Sequence, residues 1–280
     1  MYQECRNVVT IRWRRCKRHV KARSPPAVAG ALCFPPARYP TTELEHENSM
    51  IETICVVGAG RVGSAIATRL DERGVAVAVT SRKLRVGPVD LVVLCVPDSA
   101  IAAVAGAIAP GPWIVHTSGA TGLAALAPHT RRLSLHPLQT FTLARGAEQL
   151  DGAYAALTAE SPAALAVARE LAGLLGLEPF TLADADRAAY HAGAAIASNY
   201  LVTLQRAASL LLASAGAPPQ ALVPLLHGTI ANGFELTGPI ARGDWATVDR
   251  HLEAIRERTP TLEPLYRVLA DATVALAVSA

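Results

Sequence analysis

Lysine is almost missing from this chain. It occurs three times in 280 residues, as Lys17, Lys21 and Lys83, so no amine side chain is available after position 83. Long apolar runs are missing too. Long uncharged stretches, residues 99–116 and 207–234, are cut by Pro110-Gly111-Pro112 and by Gly216-Ala217-Pro218-Pro219, so neither reads as a membrane span. The five cysteines give no disulfide framework and no metal set. Cys5, Cys16 and Cys33 lie in a basic N-terminal stretch, whereas Cys55 and Cys95 fall inside apolar strand-like runs, a usage that suits a reducing cytoplasm. A strong charge on the folded part is absent as well. Residues 1–49 hold nine Lys/Arg against four acids, which leaves 17 basic and 19 acidic side chains in residues 50–280 and no nucleic-acid footprint there. With 51% apolar residues, the chain has material for one large or two modest cores.

The stretch ICVVGAGRVGSAIATRL, residues 54–70, is the first strong signal. A short Val-rich run ending in glycine reads as a strand buried on both faces, and the spacing of Val62, Ile66 and Leu70 then switches to that of a helix. The glycines mark the turn between them. Gly58 permits the tight turn, Gly60 lets a pyrophosphate approach the backbone, and Gly63 lets helix and strand pack closely. The N–H groups of Arg61, Val62 and Gly63 at the helix start face the phosphates. An NAD-specific site places an acid at the end of the second strand, and none is present. That position reads Thr80-Ser81-Arg82-Lys83, where Ser81, Arg82 and Lys83 suit a 2′-phosphate, so NADP is the expected cofactor; the alternative is that both cations are ordinary solvated loop residues.

The alternation continues from Ile51. Strands are expected at 53–57, 75–80, 90–96, 113–116 and 132–136, with helices at 62–73 and 99–108 and a short one near 122–127. A strand near 154–158, a helix at 162–175 and a strand at 177–181 follow. Such βαβ order with short links implies an α/β fold with a doubly wound parallel sheet of the Rossmann type. After Leu182 the strands stop. Asp184 and Asp186 are placed to cap a long Ala/Leu helix running to about residue 213, and further helices are expected near 219–230, 245–258 and 262–277. The organisation expected is a disordered basic arm (1–49), an NADP-binding domain (50–182) and an all-helical C-terminal domain (183–280) for substrate and dimerisation. The arm carries WRRCKRHVKAR, SPP and FPPARYP with no periodic apolar face, and Met50 directly before the first strand favours a translation start there over a functional arm.

Ligands of such sheets bind beyond the carboxyl ends of the strands. The segments expected there are Cys95-Val96-Pro97-Asp98, His116-Thr117-Ser118-Gly119 and Leu135-His136-Pro137-Leu138-Gln139-Thr140-Phe141. Val96 and Pro97 are assigned to the cofactor, and Ser118 and His136 to nicotinamide or substrate. Ser118 is equally suited to cap the next helix, and His136 to satisfy a buried carbonyl. On the first C-terminal helix, His191, Ala195 and Asn199 stand at i, i+4 and i+8, which keeps a proton donor and an amide on one face; the alternative there is a core histidine.

The motifs VVGAGRVGSAIA, CVPDSAI, HTSGA, LHPLQTF, HAGAAIASNYLVTL and LTGPIARGDWATVDRHL together resemble the Rossmann-like plus DUF2520 oxidoreductases, relatives of ketopantoate reductase, pyrroline-5-carboxylate reductase and the β-hydroxyacid dehydrogenases. The resemblance covers nearly all of residues 51–270. It implies an NADP-dependent reductase of a small acidic metabolite, with ketopantoate as one specific case, and a homodimer formed through the helical domain. The better-known relatives place a lysine on the first C-terminal helix, with asparagines four and eight residues on. Here His191 matches the lysine, Ala195 replaces the first asparagine and Asn199 retains the second. An imidazolium can donate a proton to a developing alkoxide. Two rivals remain at this point: a cyclic imine reductase of the pyrroline-5-carboxylate type and a non-catalytic NADP(H) sensor. The segment 232–244 interrupts the helices; Asn232, Thr237 and Arg242 are open between closing over an anionic substrate and local structure, with Arg242 placed to pair with Asp244, the expected N-cap of the next helix.

Overall fold

The computed structural model describes residues 50–81 and 84–279. The basic stretch 1–49 and the expected phosphate-binding pair Arg82 and Lys83 lie outside the described residues. Seven strands form one sheet: β1 (Thr53–Val57), β2 (Ala76–Thr80), β3 (Leu91–Leu94), β4 (Trp113–His116), β5 (Arg132–Leu138), β6 (Tyr154–Ala159) and β7 (Glu178–Thr181), in the order β2-β1-β3-β4-β5-β6-β7. β1 to β5 are parallel, so their carboxyl ends share one edge of the sheet.

The expectation of a parallel sheet needs correction at β6, which runs antiparallel to β5 from Leu133↔Ala159 to Leu138↔Tyr154; β7 is parallel to β6. The link between β5 and β6 carries only a 3₁₀ turn, Ala147–Leu150, and no crossover helix, so the chain returns from the edge at which it left. The same pairing extends β5 to Leu138, two residues beyond the strand expected from sequence, and puts His136 inside the strand.

Alternation along β1 explains its unbroken apolar run. Ile54 and Val56 enter one core with Ile66 and Leu70 of α1 (Arg61–Glu72) and Val167 and Leu171 of α3 (Pro162–Leu175). Cys55 and Val57 enter a second core with Ile101 and Ala105 of α2 (Ile101–Gly106) and Leu123 and Leu126 of a 3₁₀ turn. Each face of the sheet is thus covered, as a parallel sheet requires. The bounds of α3 are those read from sequence. Ser161 accepts the Ala164 N–H, Pro162 opens the first turn, and Gly176 ends the helix in the left-handed region at φ 74°.

From Asp184 onward the described chain is helical. The long helix expected from sequence is α4 (Arg187–Ala195), a π turn (Ile196–Tyr200) and α5 (Leu201–Ser214), followed by α6 (Leu222–Ala231), α7 (Trp245–Arg258) and α8 (Glu263–Ser279). Asp186 makes no side-chain cap on α4, and Asp184, in the preceding 3₁₀ turn, is used elsewhere. Asp244 does cap α7, accepting the Thr247 N–H at 3.1 Å. Arg242 bonds not to Asp244 but to the Thr237 carbonyl, at 2.8 Å, closing the turn before α7. α4 and α5 bury little, Arg187 being the buried residue of α4 and α5 having none, whereas α7 buries Val248, Leu252 and Ile255; Ile196, Leu210, Leu225, Phe234, Val268 and Leu276 are all exposed. Among the described residues no helix is long and apolar enough to cross a membrane.

Candidate active site

The glycine turn behaves as its spacing predicts. Gly58 has φ +109°, and a β-carbon on it would run into the Cys95 carbonyl oxygen; one on Gly63 would run into the Gly58 carbonyl oxygen. Nothing lies within 4 Å of a β-carbon built on Gly60, so its backbone is open to a ligand. The first turn of α1 contains no acid, which leaves the positive end of the helix unopposed. Val62 packs against the first core and Val96 against the second, so their side chains support the turn and only backbone groups remain for a ligand. Ser81 follows β2 and Pro97 follows β3 at the same sheet edge. These residues fit a dinucleotide pyrophosphate.

The opposite wall is α4, and a buried arginine sets its position. Arg187 is 2% exposed; its Nε donates to Asp184 at 2.6 Å and its Nη1 to the Ser118 carbonyl at 3.2 Å. Asp184 in turn accepts the Leu123 N–H at 2.9 Å. The start of α4 is therefore tied to the loop after β4. Tyr190 and His191, three and four residues further on, share the helix side of Arg187 and face the sheet. Burial alone would push the Asp184 carboxyl up, but the bonds from Arg187 and Leu123 outweigh it and hold the group ionised below the usual carboxylate range.

A cavity of about 720 Å³ opens between the end of β5 and this helix. Arg61, His136, Gln139, Tyr190, His191 and Asn199 line it, together with the apolar surfaces of Leu138, Phe141 and Ala195. The imidazoles of His136 and His191 are 6.3 Å apart between centroids. His136 Nδ1 is 2.7 Å from the Tyr190 hydroxyl. Burial, reinforced by the positive potentials of His191 and Arg187, pushes His136 down to about 4, so it is neutral at pH 7. The loop carrying Gln139 to Phe141 is braced by the buried Gln149 carboxamide. Its oxygen accepts the Thr142 N–H at 2.8 Å, and its nitrogen donates to the carbonyls of Thr142, Arg145 and Gly146.

The cavity thus brings together His136, His191, Asn199 and Arg61 from the residues singled out in the sequence. Ser118 is not among its lining. Its hydroxyl accepts the N–H groups of Ala120 and Thr121 and donates to Thr121 Oγ1, the turn-capping alternative, while its carbonyl anchors Arg187. Asn199 faces the cavity from within the π turn, where a helix carries one extra residue per turn, a feature frequent at functional sites. Tyr190 was not anticipated. Its signal was an aromatic ring beside His191 in an otherwise Ala-rich helix. Gly119 was also passed over: a β-carbon there would meet both imidazoles.

Residues 153–273 match the family model described as domain of unknown function DUF2520. The matched segment takes in β6, α3 and β7 as well as the helices. No curated protein matches the chain. Among solved structures, a candidate NADP oxidoreductase from Bacteroides fragilis superposes with a TM-score of 0.69 at 22% identity, over 81% of this chain and 99% of that one. A Thermotoga maritima protein gives 0.65 at 23% identity over 81% and 98%, and 1-pyrroline-5-carboxylate reductase from Streptococcus pyogenes 0.53 at 18% over 83% and 100%. At these identities the likeness is one of fold. The chain has a Rossmann-like fold, and its residues 153–273 are similar to the DUF2520 family.

Proposed function

We propose that this protein is an NADP-dependent reductase that delivers hydride to the carbonyl of a small acidic metabolite. The observation that carries the reading is the single cavity in which an open glycine turn, represented by Arg61, meets two histidines and an asparagine. NADPH, held by Gly58, Gly60, Arg61 and Gly63 and by the Ser81-Arg82-Lys83 segment, supplies the hydride when bound. The remaining work falls to side chains of this chain. His191, exposed on α4, gives the proton that the new alkoxide oxygen requires, and Asn199 orients the substrate from the π turn. Arg61 is the guanidinium of the cavity and suits an anionic group there. Ketopantoate, reduced to pantoate, is the specific substrate favoured by the family resemblance. The cytoplasm suits the free thiols Cys55 and Cys95. The exposed apolar side chains of α5, α6 and α8 support a homodimer through the helical part.

The direct test is oxidation of NADPH against a panel of 2-keto acids and cyclic imines. Turnover of 2-keto acids, with weaker or no turnover of imines, is the expected result. Preference for imines would move the protein to the imine-reductase class, and tight NADPH binding with no turnover of any member would make it a sensor.

A further inference from the structure

His136 and Tyr190 come from different elements, β5 and α4, yet their rings stand edge to face with centroids 5.5 Å apart and an interplanar angle of 88°. Phe180 holds Tyr190 from β7 in a second edge contact at 6.0 Å. The 2.7 Å bond between His136 Nδ1 and the Tyr190 hydroxyl can be drawn in two ways. If Nδ1 carries the hydrogen and donates it to the phenol oxygen, both the phenol hydrogen and the bare Nε2 lack partners among the described residues. If the phenol donates to Nδ1, only one group is left without a partner, the Nε2–H, and it belongs to a ring that lines the cavity. Polar groups in partly buried places are seldom left unmatched, which selects the second arrangement. Burial also raises the Tyr190 hydroxyl above its ordinary value, so it keeps the hydrogen it donates, and the neutral His136 ring has one lone pair to receive it.

We propose that Tyr190 is a positioning residue that locks His136 in its Nε2–H tautomer, so that His136 donates a hydrogen bond to the substrate carbonyl oxygen. The assignment rests on the carbonyl-reductase reading above and divides the work between the two histidines. His136 polarises the carbonyl and keeps its proton throughout. His191 gives up a proton to the oxygen as hydride reaches the carbon. A neutral N–H donor needs no protonation from solvent between turnovers, and its strength does not change across the neutral pH range.

The test is long-range proton–nitrogen NMR of the imidazole rings in the full chain labelled with nitrogen-15 histidine, the His136 signals being identified by their loss in His136→Gln. The parent is expected to show the Nε2–H pattern at His136. Tyr190→Phe, which keeps both ring contacts, is expected to show a mixture of tautomers, with kcat lowered about tenfold or more on the best carbonyl substrate and NADPH affinity unchanged. A parent His136 in the Nδ1–H form, or the same tautomer in parent and Tyr190→Phe, overturns the assignment, and does so without reference to turnover. Failure of the parent to reduce any carbonyl while the tautomer shift is observed would instead count against the reductase reading.

Discussion

Gly119 and His136 stand so close that a β-carbon on the glycine would lie 2.8 Å from Cε1 and 2.9 Å from Nε2 of the imidazole; the same carbon would lie 2.9 Å from Cδ2 of His191. The backbone leaving β4 is thus the surface against which both rings rest. Gly119→Ala should push them apart and lower kcat by about tenfold to a hundredfold, since small displacements of catalytic groups have large kinetic effects. NADPH affinity should hold, because the glycine turn after β1 is untouched. Steady-state kinetics with a parallel NADPH titration measures both, and an unchanged kcat would mean that the spacing of the rings does not matter.

His191→Ala should lower kcat by roughly 10²–10⁴ with NADPH binding intact, the loss expected when a general acid is removed. Asn199→Ala should differ in kind, raising KM and lowering kcat together, because an orienting amide acts on bound substrate and on the transition state alike. Near-parental kcat in His191→Ala would return the residue to the surface of α4 as an ordinary polar side chain.

Cofactor choice is expected to depend on Arg82. Only NADPH carries a 2′-phosphate, so Arg82→Ala should weaken NADPH more than NADH, by on the order of 1.5–3 kcal/mol for the loss of a charged hydrogen-bond set. Equal losses for the two cofactors, read by fluorescence titration, would remove the residue from the site.

Stability should fall with pH in a window that histidines set. Burial pushes both His116 and His136 down to about 4, against an ordinary value of 6.5. The unfolded chain therefore binds protons at these positions as pH drops below about 6.5, while the folded chain refuses them until about 4, so stability is full above that window and is lost as pH falls through it. His116, fully enclosed in β4, accounts for on the order of 3 kcal/mol by this reckoning. The lowered carboxyls Asp90 and Asp184 add their losses only below their ordinary value of 3.8. Urea unfolding at pH 7.5, 6 and 5 should show the decline; a flat profile would show that both rings are protonated in the fold.

Arg69 ties three elements together from a site only 6% exposed. It donates to Glu72 on its own helix, to Asp151, and to the carbonyls of Ala147 and Leu175. Arg69→Met keeps the aliphatic bulk but removes the bonds to Asp151 and to two buried carbonyls, for an expected loss of about 2–3 kcal/mol. A shifted urea midpoint with unchanged NADPH affinity is the expected pattern, and an unchanged midpoint would mean that water replaces the guanidinium without penalty.

The sheet was legible because its signals are local. Val-rich runs, the 58-60-63 glycine spacing and the bounds 162–175 of α3 each rest on residues close in sequence, and each was borne out in place. The direction of β6 was missed although no helix was expected between residues 136 and 154: a link without a crossover helix returns from the edge at which the chain left, which makes β6 antiparallel to β5. His136 was legible as a polar residue at the exit of an apolar strand, and His191 and Asn199 through helical spacing that puts them on one face; the cavity lies between the two. Tyr190, Gly119 and Arg187 were missed for a common reason. Each acts through a partner distant in sequence: His136 for the tyrosine, two imidazoles for the glycine, and the Ser118 carbonyl for the arginine. Ser118 was ambiguous from the outset, as the same hydroxyl serves a turn or a ligand equally well.

The π turn at Ile196–Tyr200 sets an angle as well as a contact. An α-helix advances about 100° per residue, so one residue more or less in that turn rotates everything downstream by that amount about the helix axis. Val202 and Leu210 on α5 both point outward in the chain as it stands. Deleting a single residue between Ile196 and Tyr200 would restore a continuous α-helix and swing that apolar stripe by more than a quarter of a turn, carrying the facing of α6 to α8 with it. The turn is therefore a phase setting between the half of the helix that lines the cavity and the half that presents an apolar surface to the outside, and an insertion or deletion there should disturb the cavity and that surface together.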